Sequence, residues 1–339
     1  MPFGPSAWID SGSPRDVVSG RDRRPPQPSA PGDADTTLSV EDVLSFVEDS
    51  VHLLDVGDGA GIWQGPNVVL PGYRRLFGGQ LLAQAMAAAR TPGKVVRSLH
   101  LVFLAEGRPG EPVAWSVEDL HDGRTFATRS VVAMQGERLL ASGLVSLHDP
   151  DTGRPSLDHS IAPPVVPPPS GLPAVGRLGA MAFNTRPVAT IGSRNHDVAG
   201  APVTLDGLEI GPPELAVWMR APRPLRSAGD QLLHQELLAY ASDLTMMVAA
   251  MRPHAGVGYG SALVEASAVT SHTISFHRPV RVDEWLLFVQ ESPAAASGRA
   301  YIRGDWFDES GSVVASCAQE VLIRITGPES EMSARPAAR

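Results

Sequence analysis

The carboxylate of Asp243 stands in the middle of an apolar stretch of the sequence between residues 234 and 252. Apolar residues recur in this stretch at steps of three and four, which predicts one continuous helix. A charged side chain is costly to bury in an apolar helix unless it is paired or hydrogen-bonded. Taken alone, Asp243 is interpreted as a residue on the exposed edge of the helix. The alternative is a catalytic carboxylate in a cleft, where it could accept a proton.

The paired glycines Gly78 and Gly79 stand at the start of a second predicted helix, just before Gln80. Glycines there let the backbone approach a ligand closely, and free N–H groups at a helix start can polarise a carbonyl or hold an anion. Close packing of the helix against a sheet explains the glycines equally well, and the two interpretations are compatible. Gln319 lies in a strand-like segment and, taken alone, is interpreted as a residue that satisfies neighbouring backbone groups.

The histidines and the single cysteine offer other chemistry. His272 and His277 are five residues apart, so a regular strand places them on opposite faces and they cannot both line one site. Cys317 is flanked by small residues and is interpreted as a packed residue rather than a nucleophile. A lone cysteine forms no internal disulfide, so we expect a reducing, cytoplasmic environment. No cluster of Cys and His has metal-ligand spacing, so no metal is expected.

Two copies of one helix-plus-sheet unit are predicted to position these residues. Residues 95–148 alternate with period two between short turns, which predicts an antiparallel meander. After the 234–252 helix the same pattern returns, with Phe276 aligned to Phe103. This weak similarity indicates an internal duplication. Two such sheets can join edge to edge, which removes exposed edge strands. The strands predicted in the second copy are 215–219, 271–276, 284–290, 299–307 and 313–325.

The boundaries of the units follow from local composition. The first residues are rich in Pro, Gly, Ser and Arg and are predicted to be disordered. Ser39 is the predicted N-cap of the first helix, with Asp42 as its partner. Dense prolines after residue 160 exclude both a helix and a central strand, which indicates a surface linker. The predicted organisation is an extension at 1–36, a first unit at 37–150, a linker at 151–205, a second unit at 206–326 and a tail at 327–339.

The overall composition excludes several classes of function. With 339 residues, of which 43% are hydrophobic, the chain can bury a sizeable core. The net charge of -9 argues against nonspecific binding of nucleic acid, which needs a basic face. No segment approaches the roughly 20 apolar residues that span a bilayer. Neither a nucleic acid nor a membrane is therefore an expected partner.

Short motifs in both units resemble those of a known family. They are Phe77-Gly78-Gly79-Gln80, Tyr240-Ala241-Ser242-Asp243, Phe276-His277-Arg278-Pro279, Asp283-Glu284-Trp285-Leu286-Leu287 and Ala318-Gln319-Glu320. In this order they resemble the acyl-CoA thioesterase II family over residues 39–324. The resemblance implies an α+β double hotdog fold, with two helix-wrapped antiparallel sheets in one chain. It also implies hydrolysis of fatty acyl-CoA to free fatty acid and CoA, no cofactor, and association into a homo-oligomer.

The resemblance further implies a catalytic trio of an Asp, a Gln and a Ser or Thr. Asp243 and Gln319 match the first two members and are expected to activate and hold a water. The position of the hydroxyl falls on Val269, and a bulge in the strand could instead turn Thr270 or Ser271 inward. The predicted substrate-binding residues are Gly78, Gly79, Gln80 and His272.

Two alternatives to hydrolysis remain open. Val269 and Ser271 depart from the family pattern, which would suit a non-catalytic protein that binds acyl-CoA. Other hotdog proteins hydrate enoyl-CoA with an Asp and a His, although no such pair stands at a shared helix start in this sequence. A hydratase would consume a crotonyl-type thioester without releasing a thiol, and a binding protein would turn nothing over.

Overall fold

The described residues of the first half of the chain form two helices and six strands. The computed structural model describes residues 39–67, 69, 74–150, 157–174, 182–188, 210–259 and 261–326. The elements of this half are α1 (Val40–Ser50), β1 (Leu54–Asp55), β2 (Ile62–Gly65), α2 (Gly78–Ala88), β3 (Val95–Phe103), β4 (Val113–Asp122), β5 (Phe126–Gln135) and β6 (Arg138–His148). The extension and the tail predicted at 1–36 and 327–339 lie outside the described residues.

Helix α1 begins at the predicted N-cap. The Ser39 Oγ accepts a hydrogen bond from the backbone N–H of Asp42 at 3.0 Å, and the Asp42 carboxylate accepts one from the backbone N–H of Ser39 at 3.0 Å. These reciprocal bonds satisfy two donors that the helix itself leaves free. The predicted capping pair is therefore confirmed.

In its described residues, the second half repeats the order of two strands, a helix and four strands, without a counterpart of α1 and with a short helix added after the central one. Its elements are β7 (Asn184–Val188), β8 (Glu214–Arg220), α3 (Gln231–Ser242), α4 (Met246–Met251), β9 (Val264–Phe276), β10 (Leu286–Ala296), β11 (Arg299–Phe307) and β12 (Val313–Ile325). The bounds of β11 and β12 coincide with the predicted strands. Strand β9 starts at Val264, well before the predicted start at Ser271, because its first half pairs with the far end of β12.

All of these strands lie in one 12-stranded sheet, in the order β1-β2-β4-β5-β6-β3-β9-β12-β11-β10-β8-β7. Strands β3 and β9 join the two halves in an antiparallel pair, in which Leu99 is opposite Ile274 and Leu101 is opposite His272. The two predicted sheets therefore meet edge to edge. The outermost described strands are short, and β7 carries Pro187, a residue that sheets tolerate at an edge.

The sheet wraps two helices that lie side by side, α2 from the first half and α3 from the second. Both are buried along most of their length, and residues of both halves pack into one continuous apolar core. Beyond the end of α2, Arg90 makes a bidentate ion pair with the buried Glu236 of α3, at 2.6 and 2.7 Å. This pair compensates the buried carboxylate and sets the position of α3 along α2.

The prediction of one continuous helix over residues 234–252 is wrong. Helix α3 ends at Ser242, where the N–H groups of Asp243 and Leu244 bond back three residues instead of four. Two buried hydroxyls hold the break: Ser242 Oγ donates to the Ala239 oxygen at 2.7 Å, and Thr245 Oγ1 donates to Gln290 Oε1 at 3.0 Å. Apolar residues continue on both sides of the break, so their spacing does not reveal it.

The segment predicted as a linker packs on the second half where it is described. Trp218 Nε1 donates to the Pro167 oxygen at 3.0 Å, and the N–H of Val313 donates to Ser160 Oγ at 2.9 Å. The same segment supplies the edge strand β7. Residues 151–156, 175–181 and 189–205 of the predicted linker lie outside the described residues.

Candidate active site

Asp243 lies at the C-terminal end of α3 and faces the first turn of α2. Only 8% of its surface is exposed, so the interpretation of Asp243 as a residue on an exposed helix edge is wrong. Its carboxylate accepts a hydrogen bond from the backbone N–H of Gly79. A helix N-terminus favours a negative charge, because its N–H groups and its dipole point towards the anion.

The two glycines at the start of α2 make this approach possible. A Cβ on Gly78 would stand 2.7 Å from Asp243 Oδ2, and a Cβ on Gly79 would stand 2.5 Å from the backbone oxygen of Tyr240. Such distances are shorter than van der Waals contact, so neither position has room for a side chain. Close helix packing therefore explains both glycines. Gly78 also lines the cavity beside Asp243, whereas Gly79 does not and its N–H is bonded to Asp243, so binding of a ligand at this turn stays a prediction.

Gln319 projects from β12 towards the same carboxylate. Its Nε2 donates a short hydrogen bond to Asp243 Oδ1, and the side chain is 1% exposed. The Gln319 Oε1 is buried and accepts no hydrogen bond from the described residues. A buried acceptor without a partner carries a desolvation cost, and a bound water or substrate group would remove it. The structure thus joins the two residues that the sequence predicted as the core of the site.

The ionisation of Asp243 is shifted by this environment. Burial raises the pKa of Asp243 to about 7, and the hydrogen bonds from Gln319 and Gly79 oppose the rise. A carboxyl group with a pKa near neutrality can both accept and return a proton during one reaction cycle. Groups with such shifted values are found preferentially at functional sites.

A cavity of about 470 Å³ opens beside Asp243. Its polar side chains include those of Asp243, Thr270 and Gln319, and Gly78 contributes to the wall between them. Its apolar lining includes Leu76, Phe77, Leu81, Phe103, Leu244 and Met247. A mostly apolar cleft with a few convergent polar groups is the usual form of a small-molecule site.

A bulge in β9 places Thr270 in this cavity. Ser271 is opposite Glu320 and Val269 is opposite Val321, so Thr270 is an extra residue in the ladder. Both Val269 and Thr270 therefore line the cavity, and Thr270 Oγ1 donates to the Glu320 oxygen at 3.1 Å. Ser271 instead pairs with Val102 of β3 and does not line the cavity. The bulge expected from the sequence brings in Thr270 and leaves Ser271 outside.

Gln80 and His272 support the site from behind instead of lining it. Gln80 Nε2 donates to the Pro66 oxygen at 3.1 Å. His272 is fully buried, and its Nε2 lies 2.9 Å from Ser242 Oγ, beside Asp243 in the chain. Burial lowers the pKa of His272 to about 3, so the ring is neutral. The structure does not place the side chains of these two predicted substrate-binding residues in the cavity.

Several lining residues were not predicted from the sequence. Leu244 and Met247 follow Asp243 at one and four residues, and their helical spacing is the only signal that could have identified them. Arg75 lies before α2, and Phe103 and Glu106 lie at the end of β3 and in the loop after it; none of the three carries such a signal. Among the described residues, no group of three or more His, Cys, Asp and Glu side chains is arranged to hold a metal ion. Within the same part of the chain, no helix is both long and apolar enough to cross a membrane.

Comparisons with known proteins agree with this architecture and this site. The model of the acyl-CoA thioesterase N-terminal domain matches residues 70–148, and that of the acyl-CoA thioesterase C-terminal domain matches residues 164–323. The chain is 31% identical over 319 residues to acyl-coenzyme A thioesterase 8 of Mus musculus, covering 89% of this chain and 96% of that protein. It is 29% identical over 266 residues to acyl-CoA thioesterase 2 of Haemophilus influenzae, covering 75% of this chain and 90% of that protein.

Solved structures show the same likeness. The crystal structure of the acyl-CoA thioesterase II TesB2 from Mycobacterium marinum superposes with a TM-score of 0.64 at 30% identity, covering 84% of this chain and 99% of that one. The two domain models together match most of the chain, and they fall on the two halves that share the sheet. The chain therefore belongs to the acyl-CoA thioesterase II family, the thioester hydrolases of the double hotdog fold.

Proposed function

We propose that this protein hydrolyses fatty acyl-CoA to free fatty acid and CoA, by attack of a water that Asp243 activates and Gln319 orients. The observation that carries the proposal is the buried pair of Asp243 and Gln319 at the wall of an apolar cavity. A thioester carbonyl is already electrophilic, so a correctly held water and a proton acceptor are sufficient chemistry.

The roles of the two side chains follow from their hydrogen bonds. Gln319 Nε2 is engaged with Asp243 Oδ1, so Gln319 Oε1 is the atom that accepts a hydrogen bond from the water. The Asp243 carboxylate accepts a second bond from the same water. Two acceptors at fixed positions orient a water lone pair towards the carbonyl carbon, and this positioning lowers the entropic part of the barrier.

The reaction then proceeds without a covalent enzyme intermediate. As the water oxygen bonds to the carbonyl carbon, one of its protons passes to Asp243. The negative charge that develops on the carbonyl oxygen lies near the N-terminal turn of α2, whose dipole favours it. Cleavage of the C–S bond releases the acid and the CoA thiolate, and the thiolate takes the proton from Asp243. The carboxylate is thereby regenerated.

The hydratase alternative loses support because no histidine is among the described lining residues of this cavity. His272 is buried behind Ser242 and is held neutral, so it offers no proton to a bound enoyl thioester. The competing hypothesis is a protein that binds acyl-CoA without hydrolysing it. A measurement of acyl-CoA turnover distinguishes the two.

Release of free thiol from acyl-CoA substrates of increasing chain length tests the proposal. We expect release that peaks at one chain length, and a fall of about 10²-fold in kcat for Gln319→Ala, because the water loses one of its two acceptors. If no substrate releases thiol while acyl-CoA still raises the melting temperature, the protein binds acyl-CoA without hydrolysing it. Loss of crotonyl-CoA absorbance without free thiol would indicate a hydratase.

The paired variants Thr270→Val and Ser271→Ala test which hydroxyl belongs to the site. Thr270 Oγ1 lines the cavity and donates to the Glu320 oxygen in this structure. Both protons of the water go to Asp243 and Gln319, so Thr270 acts on the water by turning its own proton to the lone pair that does not attack. Loss of one neutral hydrogen bond lowers kcat by about 3- to 10-fold in Thr270→Val. Ser271→Ala is the matched control and is expected to change kcat by less than about twofold. A larger loss in Ser271→Ala would assign the role to Ser271 instead.

A further inference from the structure

The opening of the cavity carries one cation that the proposed mechanism does not use. Arg75 precedes α2, and its guanidinium donates to Glu106 Oε1 at 2.8 Å and to the backbone oxygen of Ser267 at 2.9 Å. Of the described residues that line the cavity, Arg75 is the only one with a basic side chain. It connects the segment before α2, the loop after β3 and strand β9 at the cavity opening.

The position of Arg75 along the sheet can be compared with the length of the substrate. Ser267 pairs with Ile323, which is four residues along β12 from Gln319. Because a strand rises about 3.3 Å per residue, the guanidinium lies roughly 13 Å from the level of Gln319. In CoA, about 13 bonds separate the sulfur from the nearer phosphorus of the diphosphate, a chain as long as about four residues that spans at most about 15 Å.

The charges around Arg75 favour replacement of its ion-pair partner, Glu106, by a phosphate group. The side chains of Arg75 and Glu106 are 43% and 60% exposed, and exposed ion pairs contribute little to stability. A guanidinium binds phosphate oxygens in a bidentate geometry that suits it better than a single carboxylate contact. The chain as a whole carries a net charge of -9, so a polyanionic substrate needs a local cation to approach it.

We infer that Arg75 binds the diphosphate of CoA, exchanging Glu106 for phosphate oxygens while it keeps its bond to Ser267. This inference rests on the proposed hydrolysis of acyl-CoA and adds the residue that recognises the nucleotide end of the substrate. Asp243 then acts on the thioester at the inner end of the pantetheine arm, and Arg75 holds the outer end.

Kinetics with two substrates of the same acyl group test the inference. Acyl-CoA carries the phosphates, and acyl-pantetheine has the same arm without them. For Arg75→Gln we expect KM for acyl-CoA to rise about 10- to 100-fold with kcat within about twofold, as for loss of a charged hydrogen bond. The kcat/KM for acyl-pantetheine is expected to stay unchanged. We also expect the KM of the wild type for acyl-CoA to rise with salt, and that of Arg75→Gln to rise less.

Two further variants separate phosphate binding from a structural tie at the opening. Glu106→Gln removes the competing carboxylate, so KM for acyl-CoA should fall by about 2- to 5-fold. If the Arg75–Glu106 ion pair were purely structural, Arg75→Gln and Glu106→Gln would lower kcat/KM equally, and would do so for both acyl-CoA and acyl-pantetheine. Arg303→Gln is the control. It removes a comparable exposed ion pair with Glu291, away from this cavity, and is expected to leave KM and kcat unchanged.

Calorimetric binding of free CoA separates this inference from the proposed hydrolysis. If CoA binds more weakly to Arg75→Gln than to the wild type, the contact stands even for a protein that turns over no substrate. Equal binding of CoA to both proteins, or equal kinetic losses for acyl-CoA and acyl-pantetheine, would overturn the inference.

Discussion

Replacement of Asp243 by asparagine should lower kcat for acyl-CoA hydrolysis by about 10²- to 10⁴-fold, the usual range for loss of a general base. The amide keeps an oxygen that can accept the hydrogen bond from Gln319, but it cannot take a proton from the attacking water. The measurement is thiol release by the purified variant beside the wild type. Turnover equal to that of the wild type would exclude Asp243 as the base.

The wild-type rate should also depend on the ionisation of Asp243. Its pKa is raised to about 7, mainly by burial, and only the deprotonated form can accept a proton. We therefore expect kcat to be low at pH 5, to rise through about pH 7 and to level off above it. The asparagine variant should show no such step in its residual rate. A wild-type profile that is flat between pH 5 and pH 8 would contradict this assignment.

The same shift predicts how the variant folds. The folded state binds the proton of Asp243 more tightly than the unfolded state, whose pKa lies near the ordinary 3.8. Stability from this group is therefore fully present below about pH 4 and is lost as pH rises towards 7. At pH 8 the asparagine variant, which buries no charge, should melt at the same temperature as the wild type or higher. Thermal melts at pH 5 and pH 8 control for misfolding as a cause of lost activity.

Replacement of Gly79 by alanine should disrupt both the fold and the site. The added Cβ would stand 2.4 Å from a ring atom of Phe77 and 2.5 Å from the Tyr240 oxygen, where α2 packs against α3. The Tyr240 oxygen belongs to the backbone of α3, so relief requires the two helices to separate. We expect a loss of about 1–3 kcal/mol in the free energy of unfolding, as for other overpacked cores.

The loss of activity should exceed what the lost stability explains. Separation of the helices moves Asp243 away from the Gly79 N–H and from the cavity wall, and a displacement of about 1 Å can cost on the order of 10² in rate. Gly229→Ala is the matched control, because no atom lies within 4 Å of its added Cβ. Denaturant melts and thiol release of both variants check the prediction. If Gly79→Ala had the stability and the rate of the wild type, α2 and α3 would accommodate the added Cβ without harm and the prediction would be wrong.

Much of the fold could be predicted because it is recorded in local patterns. Alternation with period two predicted β11 and β12 at their observed bounds, and a serine followed three residues later by a carboxylate predicted the start of α1. These features depend on residues that are neighbours in the chain. The end of α3 was missed because buried hydroxyls decide it, through Gln290 on a distant strand.

The residues of the site also fall into those that sequence motifs identify and those that only the folded structure identifies. Asp243, Gln319, Gly78 and Gly79 are identified by short motifs whose residue types are unusual for their surroundings. Arg75 and Glu106 are ordinary surface residues in the sequence, and only the folded chain brings them to the opening of the cavity. The choice between Thr270 and Ser271 depends on which residue of β9 is the extra one in the ladder with β12.

Residue patterns along the chain thus define two helix-plus-sheet units, a carboxylate within an apolar stretch and the family to which they belong, because periodicity and motif order are read without long-range information. Tertiary structure decides the exposure of Asp243, the partner of Gln319, the hydroxyl that enters the cavity and the cation at its opening. Each of these depends on strand register and on the contact between α2 and α3. Register and helix contact are set by packing between residues far apart in the chain, and no local pattern encodes them.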